Sequence, residues 1–238
     1  MDPAVPSQDS AAIPVWDSAY DPTQLQGHEN LWGDPPVPYA QTAARLFADS
    51  AATTVLDLPC GDGRNLPPLA TGSPILLAGD TSANAMAIAA RVAAKAGIRD
   101  RSVFVKVDAF DTGFLDESID GIFCWDLLGH LVNPEDALRE MYRIIRPGGH
   151  LVANMWTMND CQVTDPNIRK IGPKEFIDHF EFYCKFYDHD DLEALLSSVG
   201  MAAEAVEVAN WWEPPHAEYR TYDHQHESLV FTIKKPAT

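Results

Sequence analysis

Four short apolar runs in this chain each stop at an aspartate, and the stretches between them keep helical spacing. Residues 54–58 form a β-rich run holding Asp57 that breaks at Pro59-Cys60-Gly61-Asp62-Gly63. Residues 74–78 run into Gly79-Asp80, 103–107 stop at Asp108, and 119–125 stop at Asp126. Helices are predicted over 40–48, from a Ser82 cap to Gly97, from Asn133-Pro134-Glu135 to the break at Arg146-Pro147-Gly148-Gly149, and over 192–199 behind an Asp188/Asp191 cap. A fifth strand is expected over 150–155, and two last strands over 203–208 and 228–234 flank a loop rich in Trp and His. Strands alternating with helices argue for a parallel sheet sandwiched by helices, hence an α/β fold in one domain. In such a sheet ligands bind beyond the carboxyl ends of the strands. Four carboxylates converging there are costly unless a partner rich in hydroxyls, amines or positive charge uses them as acceptors.

Residues 1–14 are too poor in large apolar side chains to order themselves and are expected to fray, which leaves 15–238 as the domain. Within it, 15–40 interleaves Trp16, Tyr20 and Trp32 with Gly27, Gly33, Pro35, Pro36 and Pro38. That pattern makes a poor regular helix and a good aromatic lid, although the same rings could simply pack to the core. Residues 156–187, irregular and aromatic-rich, and 209–227 read as insertions on the substrate side.

Lys and Arg number 17 against 35 Asp and Glu, a net charge of −18. Such a field repels polyanions, so no nucleic acid and no anionic membrane is expected as a partner; a neutral or cationic small molecule is. An apolar share of 46% beside 22% charged residues excludes a fibrous or wholly disordered chain. The four cysteines form no CxxC pair and read as reduced thiols. Asp2 and Asp9 stand where a signal peptide needs positive charge, and no apolar run approaches the ~18 residues that span a bilayer. A soluble, cytoplasmic monomer or homodimer is the expectation.

The turn over 57–65 is tight and glycine-bearing, so a ligand could approach its backbone closely. It lacks the GxxxxGK[ST] of a phosphate loop and the third glycine of a dinucleotide fingerprint, which counts against a nucleotide-binding oxidoreductase. Its extra acid, Asp62, favours an ammonium or sulfonium over a pyrophosphate. Asp80 lies 23 residues beyond Asp57, close to the ~20-residue spacing at which an acid meets ribose hydroxyls.

On these residues the chain resembles a family. Val55 through Asn65 resembles motif I of the class I S-adenosylmethionine-dependent methyltransferases, Asp80 their ribose-binding acid, and Val107-Asp108-Ala109-Phe110 their adenine-contacting segment. Asp120 to Asp126, running on to His130-Leu131, resembles motif IV, and Arg146 to Leu151 the turn into strand five. These motifs stand in order over residues 40–155. The Gly63-Arg64-Asn65 ending and Trp32-Gly33-Asp34-Pro35 are similar to the tellurite, thiol and small-heterocycle branch. The resemblance implies a Rossmann-like, doubly wound, mostly parallel seven-stranded sheet with a final antiparallel strand. It also implies S-adenosylmethionine as cofactor and S-adenosylhomocysteine as product.

By the same resemblance Asp57 would serve the methionine amine, directly or through water, while Pro59, Gly61 and Gly63 shape the turn beside Leu58. Asp80, next to Thr81, would accept the ribose hydroxyls, Asp108 the adenine amino group, and Ala109 and Phe110 would lie against the adenine ring. Trp125 would sit beside the sulfonium or the substrate. Pro59 departs from the family pattern by replacing the first motif glycine; it has no N–H and cannot adopt a positive φ, which puts the methionine-end contacts in question.

Methyl transfer is an in-line displacement that needs a base only where the acceptor must lose a proton. His130 is the first candidate, with a histidine bonded to backbone as its alternative. Asp126 is the second, orienting a substrate amine or a histidine. Trp16, Tyr20, Trp32, Trp156, Trp211, His216 and Arg220 are expected to wall a pocket for a small aromatic or heterocyclic molecule methylated at oxygen or nitrogen. A cofactor-binding protein of the same fold that transfers no methyl is the alternative. His224 and His226 would share one strand face with His216 nearby, but with no carboxylate or cysteine completing a recognised spacing no metal is expected.

Overall fold

The computed structural model describes residues 12–21, 23, 31, 35–178, 180–216 and 220–237. Helices α1 (Ala12–Ala19) and α2 (Pro38–Asp49) precede β1 (Thr54–Asp57), the short α3 (Leu66–Leu69), β2 (Ile75–Asp80), α4 (Ala83–Lys95), β3 (Ser102–Lys106) and β4 (Ile119–Cys124). Then come α5 (Pro134–Ile144), β5 (Ile145–Trp156), β6 (Arg169–Lys170), β7 (Glu175–Ile177), β8 (Tyr183–Lys185), α6 (His189–Ser198), β9 (Ala205–Glu213) and β10 (His224–Lys234).

Seven strands form one sheet in the order β3-β2-β1-β4-β5-β10-β9. Pairs among the first five are parallel, and β10 runs antiparallel to both β5 and β9. The expected mostly parallel, doubly wound sheet with a final antiparallel strand is therefore the architecture. Strand alternation sends Leu56 and Ile122 into a core closed by Leu138 and Met141 of α5 and Leu192 of α6. Val55 and Phe123 enter the opposite core, closed by Ala43 and Phe47 of α2 and Ala89 of α4. Ser82 caps α4 by accepting the Ala85 N–H at 3.0 Å, and Asp188 and Asp191 form a reciprocal capping box on α6. Among the described residues no helix is long and apolar enough to cross a membrane.

Several expectations need correction. Residues 12–14 do not belong to a frayed arm, and 15–20 are not irregular: α1 is a helix. Pro14 falls in its first turn, where no intrahelical N–H bond is required. Residues 1–11 and Trp32 lie outside the described residues. The Arg146–Gly149 break is absorbed into β5, whose register against β4 shifts between Ile119 and Gly121, a bulge that accommodates proline and glycine. Residues 156–187 are not wholly irregular, because β6, β7 and β8 form a three-stranded antiparallel sheet. The expected loop over 209–227 is strand at both ends: β9 and β10 stay paired from Ala205 to Glu213, with Glu213 opposite His224 and Trp211 opposite His226. Aromatic residues suit a pleated surface, and Pro214-Pro215 marks where pairing stops.

Candidate active site

The carboxyl ends of β1, β2 and β4 open onto a cavity of about 970 Å³, open solvent at its mouth included. Its floor is the turn after β1. Leu58 N–H donates to Phe123 O at 2.9 Å and Cys60 N–H to Gly79 O at 2.8 Å, which pins the turn between two strands. The Leu58–Pro59 peptide is cis. Gly63 has φ +86°, and a Cβ there would lie 2.7 Å from Ala89 Cα, so only glycine lets the turn rest on α4.

Asp80 joins this turn to the start of α4. Its Oδ2 accepts Gly61 N–H and its Oδ1 accepts Ser82 N–H, both at 2.9 Å. A carboxylate offers about four acceptor sites, more than those N–H groups fill, and Asp80 lines the cavity wall. Burial pushes its carboxyl pKa up while those N–H groups oppose the shift. Asp57 is fully buried and is not on the wall; burial and the neighbouring Asp80 and Asp62 push its carboxyl well above the usual range.

The opposite wall is aromatic. Asp17 Oδ1 accepts the Ser82 hydroxyl at 2.7 Å and Asn84 N–H at 3.1 Å, and so docks α1 on the head of α4. That places Trp16 in a stack on Phe182 with ring centres 3.8 Å apart, edge-on to His130 at 4.9 Å. Trp156 meets His130 from another side at 4.7 Å. His130 Nδ1 lies 2.8 Å from Tyr183 O; a carbonyl only accepts, so Nδ1 carries the proton and Nε2 is the basic nitrogen. Burial holds this imidazole below its ordinary pKa. The two sequence readings of His130, backbone-bonded or basic, are thus compatible.

Asp126 follows β4 with φ +54°. Its Oδ1 accepts Asn154 Nδ2 at 2.8 Å and Trp156 Nε1 at 2.9 Å. Arg64 leans between Asp126 Oδ2 at 3.9 Å and Glu213 Oε2 at 3.0 Å. With Arg64 and His216 beside it, the Glu213 carboxylate is held far below its ordinary pKa despite burial.

Of the predicted cofactor residues, Pro59, Gly61, Asp80, Thr81 and Trp125 line the cavity; Asp57, Leu58, Gly63, Asp108, Ala109 and Phe110 do not. Asp108 Oδ1 instead accepts Phe110 N–H at 3.0 Å. Both predicted catalytic residues, His130 and Asp126, face the cavity, as do Trp16, Tyr20, Trp156, His216 and Arg220. Trp211 stands behind the wall, stacked on His226 at 5.2 Å and donating to Glu213 Oε1 at 2.8 Å. Sequence reasoning missed Glu213 and Gln162 on the wall. For Glu213 the available signal was its place three residues before His216.

Residues 56–153 match the methyltransferase domain family. A demethylmenaquinone methyltransferase of Clavibacter sepedonicus is 32% identical over 62% of this chain and 57% of its own, so the chain spans little more than half of that relative. A 27-O-demethylrifamycin SV methyltransferase of Amycolatopsis mediterranei is 28% identical over 79% of this chain and 71% of its own. Among solved structures, the Burkholderia thailandensis 1,6-didemethyltoxoflavin-N1-methyltransferase, with 1,6-didemethyltoxoflavin and S-adenosylhomocysteine bound, has a TM-score of 0.66. It is 17% identical over 99% of this chain and 93% of that one, and it shares the fold. The ordered motifs from Val55 to Leu151, the domain match over residues 56–153 and this strand order all agree: over that span the chain is similar to the class I S-adenosylmethionine-dependent methyltransferases and has their fold.

Proposed function

We propose that the protein transfers the methyl group of S-adenosylmethionine to an oxygen or nitrogen of a small aromatic or heterocyclic molecule. The observation that carries this reading is one cavity walled on one side by the Pro59–Arg64 turn with Asp80 and Thr81, and on the other by Trp16, Trp156 and His130. The acid-rich turn fits a cationic cofactor: Asp62 and Asp80 line it, and the Arg64 guanidinium is drawn away to Glu213. Asp80 retains acceptor capacity for ribose hydroxyls.

Bound S-adenosylmethionine would supply a methyl carbon on a sulfonium, which leaves as the thioether of S-adenosylhomocysteine when the acceptor's lone pair bonds to that carbon. The chain's own residues do the rest. Indole faces of Trp16 and Trp156 hold a flat acceptor in a dry site, which favours the collinear geometry. His130 Nε2 takes the acceptor's proton, its tautomer set by the Tyr183 carbonyl. Asp126, gripped by Asn154 and Trp156, orients an N–H or O–H of the acceptor.

Calorimetric titration with S-adenosylmethionine and S-adenosylhomocysteine, beside Asp80→Ala, tests the cofactor half. Binding of both that is lost in the variant supports it; no binding to either overturns it. A mass-spectrometric screen of phenols and nitrogen heterocycles tests transfer. Cofactor binding without any methylated product would leave a binding protein of the same fold.

A further inference from the structure

At the Arg220 end of the cavity, the β9–β10 hairpin assembles four groups that methyl transfer as described does not use. Glu213, His216, His224 and His226 are all buried, and each offers one ligand atom within 4.8 Å of the other three. Strand register does this: Glu213 pairs with His224, His226 lies two residues along the same face, and His216 is turned back by its N–H bond to Arg220 O at 2.7 Å. Glu213 Oε2 lies 2.8 Å from His216 Nε2 and 4.0 Å from His226 Nε2. Ligand atoms ~2.0–2.1 Å from a tetrahedral zinc sit roughly 3.3 Å apart, between those two values.

A second observation points to an ion. His224 Nδ1 lies 3.0 Å from Tyr222 O, so Nδ1 holds the proton and Nε2 presents a lone pair. That Nε2 is buried and meets no hydrogen-bond partner, a costly arrangement for a polar atom unless something binds it. Its ring stands edge-on to His216 at 4.8 Å and to His226 at 4.9 Å. His226 has the complementary feature: Nδ1 pairs with Asp160 Oδ2 at 2.9 Å, and Asp160 is itself anchored by Gln162 N–H and Glu227 N–H. A carboxylate behind a histidine is the outer-layer arrangement that orients metal-binding imidazoles.

We propose that Glu213, His216, His224 and His226 bind one divalent first-row transition-metal ion, zinc before others, in the cavity wall. Three imidazoles and one carboxylate without a thiolate suit zinc, iron or nickel rather than magnesium or calcium. Because Glu213, His216 and His226 also line the cavity, the ion faces the acceptor's side. Glu213 is bonded to Arg64 and Trp211 as well, so it is the ligand that can yield its place to an acceptor oxygen. That role rests on the methyl-transfer reading and selects, among its oxygen and nitrogen acceptors, those carrying O–H, whose anions a metal stabilises; the ion site itself does not rest on it.

The test is metal content of the purified full-length protein after loading with zinc and dialysis, with cobalt(II) absorption and X-ray absorption at the metal edge. One equivalent of metal, intense visible cobalt bands of a four-coordinate site and a shell of nitrogen and oxygen scatterers are expected. His224→Gln should lose the ion while keeping its circular dichroism and its calorimetric binding of S-adenosylhomocysteine. No stoichiometric ion in the wild-type protein, a sulfur scatterer placing it at Cys161, or an ion retained by folded His224→Gln would overturn the proposal. Cofactor titration in the same samples reports separately on the methyltransferase reading.

Discussion

Asn154 turns both ends of its amide to Asp126: its Oδ1 accepts the Asp126 backbone N–H at 2.7 Å, and its Nδ2 donates to Asp126 Oδ1 at 2.8 Å. Asp126 has φ +54°, a conformation costing a non-glycine residue on the order of 1 kcal/mol or more. The buried amide is what holds that backbone in place at the cavity. Asn154→Ala should destabilise the protein by about 1–3 kcal/mol, read from denaturant unfolding. It should also lower turnover more than cofactor affinity; equal loss of both would show that Asn154 merely supports the fold.

His130 lies in a cage of Trp16, Trp156 and Phe182, and burial lowers its pKa from 6.5. If it acts as the base of the proposed transfer it must be unprotonated, so the rate should rise with pH below 6.5 and be flat by neutrality. His130→Gln should reduce turnover by roughly 10²–10⁴-fold and remove that acidic limb, with cofactor affinity unchanged in calorimetry. An intact limb in the variant would assign the titration to another group.

Gly63 and Gly97 both hold positive φ, +86° and +71°, but a Cβ at Gly63 would reach 2.7 Å from Ala89 Cα whereas at Gly97 it meets nothing within 4 Å. Gly97→Ala should therefore cost about 1 kcal/mol of backbone strain alone. Gly63→Ala adds an overpacking cost, for a loss of roughly 2–4 kcal/mol. Paired thermal melts check the difference; equal shifts would mean that the turn gives way at Ala89.

Glu140 accepts from Thr112 N–H at 2.8 Å, from its hydroxyl at 2.6 Å, and from Arg143 at 2.7 and 2.8 Å. The Arg143 bonds first, then those of Thr112, bring its pKa from 4.5 to about 2. A depressed carboxyl stabilises the fold fully above the unfolded value and loses that contribution as pH falls through about 2. Since Arg143 is 36% exposed, solvent screening leaves about 1–2 kcal/mol. Glu140→Gln should lower the midpoint of urea unfolding at pH 7 and weaken its dependence on pH between 4.5 and 2.

Much of this was legible in the chain because the signals are local. Asp57, Asp80 and Asp126 mark strand ends, and the Ser82 and Asp188/Asp191 caps depend on neighbours within three residues. Helix α1 was not legible, because its anchor is distant: Asp17 accepts from Ser82, 65 residues away. The basicity of His130 was half legible: its place after β4 was readable, whereas the Tyr183 carbonyl that sets its tautomer is 53 residues away.

By itself, then, the sequence determined the order of the seven strands of the main sheet and of helices α2, α4, α5 and α6, and the acid-rich turn after β1. Only the tertiary structure decided which of those acids reach the cavity. Asp80 does; Asp57, on the neighbouring strand, is sealed behind the turn. It also decided that Glu213 would complete a set with three histidines, because that meeting depends on the register of β9 against β10. Local spacing cannot encode such a register. It is set by which strand faces must be buried against the rest of the sheet.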